Sequence, residues 1–116
     1  MRYLLMLYAD EKAGAAIPKE QMDGFMQMMF AYEAALEKAG AFVMTSPLRP
    51  TTEAKTVSTE AGELQVHDGP YAETREQFGG LYIIEAKNMA EAVEWAKSCP
   101  GSQWGHVEVR AMVPGY

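Results

Sequence analysis

The chain has 116 residues, enough for one domain spanning 1–116 with one real core, since roughly 100 to 150 residues is the commonest domain size. Ten Lys and Arg against 16 Asp and Glu leave a net charge of -6, and no basic cluster offsets it, which argues against a nucleic-acid partner. No apolar run approaches the roughly 20 residues that span a bilayer, so no membrane partner is expected. The single Cys99 allows neither an internal disulfide nor a multi-thiolate metal site, which suits a soluble, cytoplasmic protein.

"RYLLMLYA", Arg2 to Ala9, is apolar at nearly every position and predicts a strand that wants cover on both faces. The following "IPKEQMDGFMQMMFAYEAALEKAG" predicts a helix, with Pro18 suited to its first turn and Gly40 to its C-terminal cap. Met22, Phe25, Met26, Met29, Tyr32 or Glu33, and Leu36 follow the helical period and form its expected core face, while Met28 and Phe30 hint at a second contact surface. "AFVMTSPLRP" predicts a short strand ended by its prolines. "KTVST", the turn "EAGE" and "LQVH" predict a peripheral hairpin with Val57, Leu64 and Val66 as a sparse apolar side. "GLYIIEA" predicts another two-faced strand. "NMAEAVEWAKSCPG" predicts a helix with Asn88 and Glu91 at capping-box spacing and Met89, Ala92, Val93 and Ala96 inside. "GHVEVRAM" predicts a last strand with Val107 and Val109 on one face and His106, Glu108 and Arg110 on the other.

The order strand, helix, strand, hairpin, strand, helix, strand points to an α+β fold. It is a ferredoxin-like antiparallel sheet with two helices on one face and an inserted β-hairpin. Two helices cover one face only. Leu4, Met6, Tyr8, Tyr82 and Ile84 are then expected to leave the second face apolar and open, and a homodimer is the simplest cover.

The stretch from Asp68 to Gly80 exceeds the usual two to five residues of a hairpin loop. Asp68 and Gly69 supply turn chemistry, Tyr71 and Phe78 aromatic anchors, and "AETREQ" a helical turn over Thr74 to Gln77. On one reading Asp68 is a carboxylate at a pocket mouth, with His67, Glu73, Thr74 and Arg75 placed to tune it and Tyr71, Glu73 or Arg75 to hold a substrate. On the other it closes an Asx turn and its neighbours are solvated. His106, Glu108 and Arg110 line a pocket on the first reading, and a charged edge or an interface ion-pair network on the second; His106 and Glu108 are also the nearest approach to a metal-ligand pair. As ligands at i and i+2 they fall far short of a metal site, and no metal or cofactor is expected. Trp104 is either a flank of the pocket mouth or ordinary packing.

"DGPYAETREQFGGLYIIEA", with "RYLLMLYAD" before it and "GHVEVRAM" after it, resembles the DGPF-domain branch of the YCII-related family, with Tyr71 in the place of the motif's phenylalanine. The resemblance implies a dimeric ferredoxin-like α+β barrel with a pocket between the sheets. In YCII-like relatives an enzymatic role has been inferred from a buried His and Asp pair whose His lies in the first helix. Residues 18–39 here contain no His. Asp68 alone carries over by motif, and His67 or His106 must serve as a different partner. Some DGPF relatives are associated with alternative sigma factors. Two functions remain open. The first is an enzyme using acid-base chemistry by Asp68 on an unidentified small molecule in a dimer pocket, with Tyr8, Tyr82 and the residues above around it. The second is a non-catalytic ligand-sensing or protein-interaction module linked to transcription.

Overall fold

The structure, a computed structural model, describes residues 1–115. Six strands and three α-helices follow in chain order: β1 Arg2–Ala9, α1 Glu11–Ala15, α2 Lys19–Lys38, β2 Phe42–Pro47, β3 Lys55–Glu60, β4 Glu63–Asp68, β5 Gln77–Glu85, α3 Met89–Ser98 and β6 His106–Ala111. Four strands form an antiparallel sheet in the order β2-β5-β1-β6, the ferredoxin-like arrangement, and β3 with β4 forms a separate two-stranded ribbon.

Three helices stand where two were expected. The extra one, α1, is a single turn started by Asp10, whose carboxylate accepts the amides of Lys12 and Ala13. Helix α2 ends as its sequence predicts. Gly40, at φ 71°, bonds back to Glu37, and Ala41 bonds to Leu36, the paired bonds of a Schellman close. Only Tyr32 and Leu36 of α2 are fully buried, with Met29 packed beside them; Met26 and Phe30 remain exposed. Helix α3 starts at Asn88, whose side chain accepts the amide of Glu91 at 2.9 Å. The expected reciprocal bond from the Glu91 side chain is not formed, and Met89 lies exposed rather than inside.

The core lies between the helices and one face of the sheet. Tyr3 and Leu5 of β1 stand opposite Ile84 and Tyr82 of β5, and all four are buried against Tyr32, Leu36, Ala92 and Ala96. Tyr82 meets Tyr32 edge-to-face at 5.3 Å, and the Tyr32 hydroxyl donates to the carbonyl of Trp95 at 2.7 Å. This register corrects the expected open face. Tyr82 and Ile84 belong to the closed side, and it is Leu81 and Ile83 that join Leu4, Met6 and Tyr8 on the other. A strand apolar on both faces carries no phase of its own, so its sequence cannot say which set meets the helices.

The second face of the sheet has no cover among the described residues. Leu4, Met6, Leu81 and Ile83 are half-exposed there, and Met44, opposite Ile83, is exposed. The molecule is accordingly flat, 48 by 42 by 18 Å, with a radius of gyration of 16.1 Å against about 13 Å for a compact chain of this size. No helix is long and apolar enough to cross a membrane among the described residues.

Candidate functional site

Chemistry-bearing side chains gather where β1 ends, because β5 and β6 both begin there. Tyr8 is opposite Phe78 on one side and opposite His106 on the other, so the three share one end of the open face. A bulge between Leu7 and Tyr8 sets this pairing: Leu7 faces Gly80 but Tyr8 faces Phe78, which leaves Gly79 unpaired. The rings of Tyr8 and Phe78 lie 5.6 Å apart. On the β6 side, Gly105 lets the backbone pass so close to β1 that a Cβ there would sit 1.9 Å from the carbonyl oxygen of Tyr8. No other residue type fits without moving one strand, and His106 follows directly.

His106 reaches over the end of β1 to Glu76, its Nδ1 standing 2.7 Å from Oε1 of the carboxylate. Glu76 is the more sheltered partner, with 31% of its side chain exposed against 80% for the imidazole. The tautomer with its hydrogen on Nδ1 donates to Glu76 and leaves the Nε2 lone pair free to face outward. Such a pair can take up and return a proton while the carboxylate fixes the ring orientation.

Asp68, the carboxylate the motif singles out, stands elsewhere. It ends β4 opposite Lys55, forms an ion pair with it, and leaves 86% of its side chain in solvent. The cleft expected to join it with Tyr8 and Tyr82 does not form within the chain, since Tyr82 is buried on the other side of the sheet and Asp68 belongs to the separate ribbon. What the motif does is structural at this point. Gly69, at φ 101°, turns the chain out of the ribbon, its amide bonding to the carbonyl of Ala54 and its carbonyl accepting the Thr56 hydroxyl.

The loop is also shorter than its sequence suggests. Gln77 to Gly80 extend β5, leaving Gly69 to Glu76 between the strands. The helical turn expected over Thr74 to Gln77 is replaced by local side-chain bonds, from the Thr74 hydroxyl to the Glu76 carbonyl and from Gln77 Nε2 to the Thr74 carbonyl at 2.6 Å. Against this loop lies a cavity of about 430 Å³, lined by Lys12, Thr51, Thr52, Gly69, Pro70, Ala72, Glu73, Thr74 and Gln77. Glu11 fastens its walls together. The Glu11 carboxylate accepts the amide and hydroxyl of Thr51, and its own amide donates to Gln77 Oε1 at 2.9 Å.

Of the residues singled out by sequence, then, Tyr8 and His106 come together on the open face, with Glu108 opposite Met6 on that same face. Glu73 is a cavity wall. His67 lies on the ribbon opposite Thr56, Arg75 is exposed on the loop, and Tyr71 is 92% exposed. Trp104 packs against Phe25 of α2 at 4.6 Å, away from the open face. Glu76 and Phe78 were missed as site residues. Starting the strand at Gln77 would have put Phe78 in it, but Glu76 lies just before that strand and meets His106 only through the fold.

The YCII-related domain family matches residues 1–114 of this chain. An uncharacterised protein of Rhizobium meliloti (strain 1021), R00369, is 35% identical over 114 residues, which are 97% of this chain and 92% of that protein. Among solved structures, 5-chloro-2-hydroxyhydroquinone dehydrochlorinase (TftG) from Burkholderia phenoliruptrix AC1100, in complex with 2,5-dihydroxybenzoquinone, superposes with a TM-score of 0.54. The match covers 99% of this chain and 96% of that one at 14% identity, a likeness of fold alone.

Proposed function

This chain belongs to the YCII-related family, and from that premise we propose that it is a small-molecule enzyme whose pocket forms when a second copy covers the open sheet face, closing a dimeric α+β barrel. We assign it to the DGPF branch on Asp68, Gly69, Pro70 and Tyr71, and to the cytoplasm on its lone free cysteine. The observation that carries the reading is the His106–Glu76 pair beside the Tyr8 and Phe78 rings. His106 takes the place first given to Asp68 as the acid-base group.

In this reading a planar ring compound lies on the aromatic pair, within reach of the imidazole. Nε2 of His106 accepts a proton from an acidic hydroxyl of the ring, and Glu76 stabilises the resulting imidazolium through Nδ1. The same proton can then be returned to another atom of the ligand. The aromatic pair supports a ring as the ligand, and TftG, whose complex holds a dihydroxylated quinone, suggests its class.

The test is an absorbance titration with 2,5-dihydroxybenzoquinone, followed by a turnover screen over hydroxylated ring compounds. The parent should bind saturably and His106→Gln at least about tenfold more weakly. Glu76→Gln should keep its fold and binding yet lose about 100-fold or more of any turnover found. No saturable binding by the parent at millimolar ligand sinks the ring reading. Binding without turnover, equal in parent and Glu76→Gln, favours instead the non-catalytic sensing module, for which Tyr71 on the loop offers an exposed recognition side chain.

A further inference from the structure

We infer that the β3–β4 ribbon is an arm that packs on the second copy of this chain, enlarging the contact made by the open sheet face; the inference rests on the dimer proposed above. Its amphipathicity is inverted. The polar side chains of Thr56, Ser58 and Gln65 are the sheltered ones, whereas Val57, Leu64 and Val66 are 63%, 75% and 66% exposed. Register gathers the apolar three on one side, Val57 directly opposite Val66 and Leu64 opposite Thr59. A ribbon folded for water alone would turn these side chains inward. Neither strand hydrogen-bonds to the main sheet, and a two-stranded ribbon by itself is marginally stable in water.

The size of the patch argues for a second copy as the occupant. Three such side chains make a patch on the order of 300 Å², well below the roughly 800 Å² that each partner buries in a stable complex. The ribbon therefore works as part of a larger contact, and the open sheet face, with Leu4, Met6, Leu81 and Ile83 half-exposed and Met44 exposed, offers apolar surface for the rest of it. Charge agrees. The chain carries a net charge of -6, but Lys55 and Asp68 on the apolar side of the ribbon neutralise each other, so two copies meet there without like-charge repulsion.

Sedimentation equilibrium of the parent and of the Val57→Lys, Leu64→Lys double variant tests the arm. The parent is expected to be dimeric at micromolar concentration and the variant to dissociate at least about tenfold more readily. A parent that stays monomeric overturns the dimer and the arm together. A dimeric parent with an equally tight variant overturns the arm and leaves the dimer standing. Hydrogen exchange of the parent needs no substitution: bonded amides within Lys55–Glu60 and Glu63–Asp68 should slow as concentration carries the chain from monomer to dimer. Rates independent of concentration, in a chain that dimerises, overturn the arm.

Discussion

Glu85 accepts from Arg2 Nε at 3.1 Å and from the terminal amino group of Met1 at 3.2 Å, at the outer end of the β1 and β5 pairing. The Arg2 guanidinium first, and the terminal ammonium second, hold its carboxyl below the usual carboxylate range. A folded-state value below the unfolded one stabilises the protein at pH above the ordinary carboxylate value, and that contribution is lost as pH falls through the lowered one. Glu85→Gln should therefore be less stable than the parent near neutrality and match it in strong acid, the gap closing as pH falls from the ordinary carboxylate value through the lowered one. Denaturant titrations across that range check this. A gap of constant size at every pH would mean that the pair does not couple to folding. Asp68 makes the contrasting case at this scale. Its motif drew attention to a carboxylate, yet its cation, Lys55, lies across an exposed ribbon, and the neighbouring Gly69 does the work of turning the chain. Glu76, unremarkable in the same segment, gains its partner from 30 residues away, a pairing that only the meeting of β5 and β6 at the end of β1 creates.

Among the elements, those marked by local chemistry were legible. The Ala61–Gly62 turn takes positive φ at both positions, 51° and 81°, as a tight ribbon turn requires, and Gly40 closes α2 at the expected place. Short-range signals set these features, so the sequence contains them. Elements that depend on distant neighbours were not legible: α1, though started by the local Asp10 cap, is tied through Glu11 to Gln77 and Thr51, and β5 begins at Gln77 because Ala9 of β1 pairs with it. The start of α3 is of the local kind. Asn88 Oδ1 holds the Glu91 amide without a return bond from the Glu91 side chain, so the cap rests on one residue. Asn88→Ala should cost about 1 kcal/mol of stability, read as a lowered midpoint in thermal or denaturant unfolding. An unchanged midpoint would show that the first turn of α3 is held by packing of Ala92 and Ala96 alone.

At the scale of the molecule, the order of the elements gave the sheet and the layer of helices, but no pattern within one chain states what lies on the far side of that sheet. The proposed dimer answers this, and its consequences reach the site. The His106 imidazole is 80% exposed in the single chain, where water competes for its proton and for any ligand on Tyr8 and Phe78. Covering the face would shelter the pair and strengthen its electrostatics, since interactions between charges grow as water is excluded. Folding of such a protein is linked to association, so apparent stability should rise with protein concentration by mass action. Ile83 lies at the middle strands of the open face, opposite both Leu4 and Met44, and does not contribute to the core against the helices. Ile83→Lys places a charge where two copies are proposed to meet, yet in one chain that position is already half in water. The substitution should abolish the rise of the melting midpoint with concentration and weaken binding of a ring ligand, while leaving far-UV circular dichroism unchanged. A midpoint that rises with concentration as steeply in Ile83→Lys as in the parent would place the interface elsewhere on the molecule, and His106 with Glu76 would then have to act on a face open to solvent.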